Sequence, residues 1–272
     1  MIEGVIARLL YMPPRCSYYR NDPRFHGCYF EIDDQAGGII PCVRIRSSSP
    51  SRFTILYSHA NAEDLGFLID FFRWLSKSLY VDVIGYDYPG YGLCPGKPTE
   101  ETVKQCACMT MNHVIEQLGI PPERLILYLH PPILKRRYGH SLGSAISVYL
   151  SVFAAKTRDC SVAGIILQSC FMSVYRIAFD CRFSAKKDQY ATVDIIRDVR
   201  SPVTFIHGTD DPVVPIAHPK RLFLLLPPEL RYRNLVVANA GHNSIECFCK
   251  PRSLFIDHLL DFIVRSARPS VV

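Results

Sequence analysis

The stretch Gly139-His140-Ser141-Leu142-Gly143 fits the pattern G-x-S-x-G. In that pattern two glycines flank a serine at a tight strand-to-helix turn, where neighbouring side chains would clash and the hydroxyl is left exposed. The next backbone N–H, that of Leu142, opens a helix and can stabilise an oxyanion. The pattern alone also describes an ordinary helix-start loop, so its partners decide the reading. "HGTDDPVVP" (207–215) follows an apolar run and offers Asp210 and Asp211, and "NAGHNS" (239–244) follows the next run and offers His242. The chain order is Ser141, then Asp211 70 residues on, then His242 a further 31 residues on. That order separates one class of serine hydrolase from the others. His242 would take the proton of Ser141, and the aspartate would fix its tautomer. Asp211 suits the acid role better than Asp210, because it lies beyond the Gly208–Thr209 turn and Pro212 stiffens the chain after it. Asp210 then reads as a solvated loop carboxylate or a turn cap.

A second oxyanion donor is expected from the loop after an earlier strand. "LYSHANAED" (56–64) fits, with the backbone N–H of Asn61 as donor and that of Ala62 as the alternative. His59 reads as a shaper of that loop, His207 as a strand-end histidine bonded to backbone, and Asp87 as a carboxylate bonded to loop backbone. His140 lines the pocket or packs. No phosphate-binding glycine loop and no metal-ligand spacing occurs, so neither a cofactor nor a metal is expected.

These residues need a frame that brings their loops to one place. Strand-like apolar runs over 37–46, 52–61, 81–92, 124–128, 162–169, 202–215 and 232–244 alternate with helical patterns over 64–79, 99–119, 144–156 and 251–264. That alternation predicts one α/β domain over 1–272, a mostly parallel sheet with helices on both faces. Functional loops then gather at the carboxyl ends of the strands. The weakly patterned stretch 171–200 is a candidate cap there. The N-terminal segment 1–27 opens with an amphipathic pattern, which would pack on the body or touch a membrane surface. Hydrophobic residues are 49% of the chain and charged residues 21%, a globular composition. The net charge of +6 is scattered, without an aromatic-interleaved basic stripe, so nucleic acid is not an expected partner. The 11 cysteines lack C-x-x-C spacing and read as small thiols in a reducing, cytoplasmic compartment.

"LYSHANAEDLG", "YDYPGYGLCPGKPTE", "GHSLGSA", "SCFMSVYRIAF", "HGTDDPV" and "AGHNSIE" together resemble the alpha/beta-hydrolase domain-containing protein 17 family, of Bem46 type. The resemblance runs from about Ala7 to the last helical pattern and keeps motif order. It implies an α/β-hydrolase fold and a thioesterase that removes palmitate from membrane-associated proteins. It carries Ser141, Asp211 and His242 into the triad. Three features depart from the family. Only Cys16 stands where the family has an acylated cysteine cluster, and stable anchoring takes two signals. His140 stands where the family more often has glutamine. Ten residues, Leu129 to Tyr138, separate "LILY" from the elbow glycine.

Within that stretch Pro131 and Pro132 cannot join a central strand, and Lys135, Arg136 and Arg137 would bury charge there. "RLILY" is therefore expected in the sheet, with the inserted segment (129–138) as a loop at the rim of the site, unless the decapeptide is foreign to the working protein. Three functions compete on this reading. The first is a serine hydrolase of esters or thioesters acting on an acylated protein or lipid-like ester, peripheral on membranes. The second is a binding protein whose elbow the insertion has impaired, and the third a serine peptidase.

Overall fold

The computed structural model of the protein describes residues 10–34, 37–129, 142–179, 188–249 and 253–266. Eight strands form one sheet among them: β1 (Tyr29–Asp33), β2 (Ile39–Ile45), β3 (Thr54–Ser58), β4 (Asp82–Tyr86), β5 (Leu125–Leu129), β6 (Gly164–Gln168), β7 (Val203–Gly208) and β8 (Leu235–Val237). Their order is β1-β2-β4-β3-β5-β6-β7-β8. The pairings β1/β2 and β2/β4 are antiparallel, and every pairing from β4 through β8 is parallel. The carboxyl ends of β3 to β8 therefore share one edge of the sheet.

The principal helices are α1 (Leu65–Leu79), α2 (Glu100–Glu116) and α3 (Leu142–Arg158). They are followed by the short α4 (Val174–Phe179) and α5 (Thr192–Ile195), then α6 (Ala217–Leu225), α7 (Ile245–Phe248) and α8 (Ser253–Ser266). Local chemistry sets their starts. The Asp64 side chain accepts the Phe67 N–H and caps α1. Thr99 and Thr102 exchange side-chain and backbone bonds in a capping box that opens α2. The strands alternate between two cores. Leu56, Leu127, Ile165 and Phe205 face α2 and α3, while Tyr57, Tyr128, Ile166 and Ile206 face α1 and α8. Burial on both faces explains the near-continuous apolar runs of β3, β5 and β6.

The α/β class, the parallel sheet and the placing of "RLILY" in its centre agree with the sequence reading. Several elements were not legible, β1 and α6 among them. β1 (YFEID) buries only Ile32 fully and carries two acids, as an edge strand can. α6 contains Pro219 near its start, which reads as a loop signal but is tolerated in a first turn. The candidate cap folds back in its described part, with Tyr190, Thr192 and Ile196 buried. Arg176 there bonds Asp188. The first nine residues of the N-terminal segment, most of the 129–138 insertion and residues 180–187 lie outside the described residues. Among the described cysteines none is disulfide-bonded. Five are buried, whereas Cys16 and Cys247 are exposed.

His258 of α8 ties the last helix to the sheet. The Thr204 hydroxyl donates to the Arg233 carbonyl, so it accepts the Nε2–H of His258 at 2.8 Å. Burial, helped by the nearby Arg233 charge and opposed by Asp261, lowers the imidazole pKa from 6.5 to about 4. The unfolded chain therefore binds the extra proton first. The stabilisation from neutral His258 is complete above pH 6.5 and is lost as pH falls to about 4. Denaturant unfolding across that window should show a shallower pH slope for His258→Gln than for the wild type.

Candidate active site

Asp211 sits in the loop after β7, and its carboxylate is fully used. Oδ1 accepts the N–H of Val213 at 2.8 Å and of Val214 at 2.9 Å. Oδ2 accepts from His242 Nδ1 at 2.7 Å. A carboxylate can only accept, so Nδ1 carries the proton and Nε2 is left as the basic nitrogen. Both side chains are buried. Burial acts against the Asp211 charge, but the His242 bond and the two backbone N–H groups outweigh it, and the carboxyl stays below its ordinary pKa. Asp210 is exposed and accepts from the Thr209 hydroxyl, at 2.8 Å.

The two loops form one unit. Thr209 N–H donates to Val237 O at 3.0 Å, Asp210 N–H to Ala240 O at 2.9 Å, and Asn239 N–H to the Thr209 hydroxyl at 2.8 Å. His207, at the end of β7, donates from Nε2 to Val214 O at 3.0 Å, as a backbone-bonded strand-end histidine should. Burial lowers its pKa, so it stays neutral beside Asp211.

Asn61 lies in the loop between β3 and α1. Its Oδ1 accepts from Met12 N–H and Tyr91 hydroxyl, both at 2.7 Å, and from Ala62 N–H at 3.0 Å. Ala62 itself has a left-handed φ of 66°. The alternative donor, Ala62, is thus engaged internally. His59 shapes the loop: Nδ1–H donates to Ala60 O at 2.8 Å and Nε2 accepts the Tyr88 N–H at 3.3 Å. Asp87 accepts the Leu65 N–H at 3.0 Å, and also the Tyr18 hydroxyl. Leu142 is the first residue of α3, the helix that follows β5, and is buried. Since β3 and β5 are adjacent, Asn61 and Leu142 belong to neighbouring strand ends. Gly139, His140 and Ser141 lie outside the described residues.

Sequence reasoning missed a strap. Residues Met12 to Tyr18 cross the start of α1, where Ser17 N–H donates to Asp64 Oδ2 at 2.8 Å and the Ser17 hydroxyl bonds Asp64 Oδ1. It also missed Gln168 at the end of β6, which donates to Glu246 at 2.7 Å. No local pattern marks either feature.

No family model matches the chain. Alpha/beta hydrolase domain-containing protein 17C of Xenopus tropicalis is 34% identical over 235 residues, covering 86% of this chain and 69% of that one. The chain belongs to the alpha/beta hydrolase domain-containing protein 17 family. The family's fold is also that of solved hydrolases. An alpha-beta hydrolase from Vibrio vulnificus superposes with a TM-score of 0.62 at 16% identity, covering 88% of this chain and 80% of that one. An esterase from Pyrococcus furiosus superposes with a TM-score of 0.64 at 12% identity, covering 93% and 99%. In this family member the Asp211–His242 pair stands at the edge where such sheets carry their sites.

Gly208 is where the two loops touch. A Cβ built there would lie 2.2 Å from Ala240 O. Gly208→Ala must push the acid loop away from the histidine loop. It should cost about 1–3 kcal/mol in denaturant unfolding and weaken the His242 Nδ1 proton bond, read as an upfield shift of its proton resonance.

Proposed function

We propose that the chain is a serine hydrolase that cleaves carboxylic esters or thioesters through an acyl-enzyme. Its substrate on this reading is an acylated protein of the palmitoyl-thioester type. The supporting observation is the 2.7 Å bond from His242 Nδ1 to a buried Asp211. This pair leaves Nε2 as a base, and Ser141 precedes it in the order that hydrolases of this fold use. The relatives and the solved structures are hydrolases by name, and one of them is an esterase.

The chemistry follows from those roles. Ser141 Oγ attacks the carbonyl carbon as its proton passes to His242 Nε2. The imidazolium is stabilised by Asp211, which stays ionised because three donors hold it. The negative charge on the carbonyl oxygen is met by the backbone N–H groups of Asn61 and Leu142. When the tetrahedral intermediate collapses, the thiol or alcohol leaves with the proton from Nε2. Water, deprotonated by the same nitrogen, then releases the acid and regenerates Ser141. The fatty-acylated substrate lies at membranes, where the N-terminal segment makes peripheral contact.

A fluorophosphonate probe tests the reading directly. The full chain should be labelled, and Ser141→Ala should abolish labelling with an unchanged circular dichroism spectrum. Absence of labelling in folded wild-type protein would refute the enzyme and favour a binding protein disabled by its insertion. Asp211→Asn should lower kcat by about 10⁴-fold, because the histidine loses the tautomer it needs. Turnover of long-chain acyl thioesters against that of peptides separates the thioesterase from a peptidase.

A further inference from the structure

A groove of about 720 Å³ runs between α1 and α8. That is within the range of small-molecule sites, about 300–1,000 Å³. One wall carries Phe67, Phe71 and Trp74 of α1, spaced four and three apart and so on one helical face. The other carries Phe255 and Ile256 of α8. Phe67 and Trp74 are 40% and 42% exposed, unusual for large rings on an outer helix face.

The inner end of the groove is built from the two loops of the candidate site. Glu63 comes from the Asn61 loop, where its Oε2 accepts the Ala60 N–H at 3.3 Å. Asn243 directly follows His242. The polar side chains that line the groove are acidic or neutral. Glu246 and Asp257 join Glu63, Asp70 is paired with Arg73 at 3.0 Å, and no lysine or arginine lines the groove among the described residues.

We propose that this groove is the acyl-chain subsite and that it takes a neutral acyl chain, ester- or thioester-linked, in preference to a free fatty acid. The proposal rests on the hydrolase reading above for the position of the carbonyl. A chain whose carbonyl lies between the Asn61 and His242 loops has the groove as its apolar continuation. From Phe67 to Trp74 the helix advances about 10 Å, which offers a medium-length stretch of extended alkyl chain a continuous aromatic wall. Each buried methylene strengthens binding about fourfold. Glu63, Glu246 and Asp257 repel a carboxylate headgroup, so the ester is held while the acid formed by hydrolysis is released.

Trp74 is the only tryptophan in the chain, which makes occupancy readable without turnover. The probe is a medium-chain methyl ester brominated at its far end, titrated into the full chain while Trp74 fluorescence is followed. Saturable quenching is expected. The matching short-chain bromo-ester and the free brominated acid should quench at least tenfold more weakly, and Phe67→Ala should weaken the long ester's quenching severalfold. In turnover assays Phe67→Ala should lower the long-to-short ester ratio of kcat/KM about tenfold. Equal quenching by the short ester, or no saturable quenching, overturns the proposal. So does a Trp74 already shielded from acrylamide in the free chain, or shielded as protein concentration rises, which would assign the groove to another part of the chain or to a second copy. Saturable quenching without any ester hydrolysis supports the groove and refutes the hydrolase reading instead.

Discussion

The buried carboxylate of Asp211 constrains everything around it. An ionised group removed from water costs several kcal/mol unless its lone pairs are met. Here one oxygen is met by two backbone N–H groups and the other by an imidazole. Satisfying the first requires the loop after β7 to curl back on itself. Satisfying the second requires the loop after β8 to lie against it, which the Thr209–Val237 and Asp210–Ala240 bonds enforce. The parallel pairing of β7 with β8 brings both loop starts to the same edge. The absence of a side chain at Gly208 lets the second loop approach. The orientation of His242 is thus a consequence of sheet topology, one glycine and one charge that must be neutralised.

The support beneath the Asn61 loop follows the opposite electrostatic rule. Burial raises the pKa of Asp87 well above the ordinary carboxylate value and lowers that of His59 to about 4. His59 is therefore neutral near pH 7. The geometry agrees for His59, since Nε2 accepts the Tyr88 N–H and has no room for a second proton. Burial thus disfavours charge behind this loop, which on the proposed hydrolase reading suits an oxyanion site. The acid that must be charged has three donors. The acid buried behind the loop has two, Tyr18 and Leu65, and burial raises its pKa.

What was legible in the sequence was what local rules determine. Asp211 rather than Asp210 followed from the turn and from Pro212, and the central place of "RLILY" followed from the cost of burying Lys135 to Arg137. His59 was read as a shaper of its loop and His207 as a strand-end histidine bonded to backbone. The strap was not legible. Met12 meets Asn61 across 49 residues, Ser17 meets Asp64 across 47, and Tyr18 meets Asp87 across 69. No periodicity announces such pairs. The groove was hidden for a related reason. Phe67, Phe71 and Trp74 look like an ordinary apolar helix stripe, and only the gap between α1 and α8 leaves two of the rings half in water.

The strap also bears on which amide of the Asn61 loop faces the site. A carbonyl oxygen has two lone pairs, yet three donors converge on Asn61 Oδ1: Met12, Tyr91 and Ala62. That convergence fixes the carboxamide and engages the Ala62 N–H within the loop. The left-handed turn at Ala62, costly for a residue with a Cβ, is the strain this arrangement holds in place. Met12 comes from the strap and Tyr91 from the loop after β4, so the loop that would present the Asn61 N–H is braced from two directions. On the proposed hydrolase reading, Asn61 stays the expected donor, and the second choice, Ala62, has its N–H bonded within the loop.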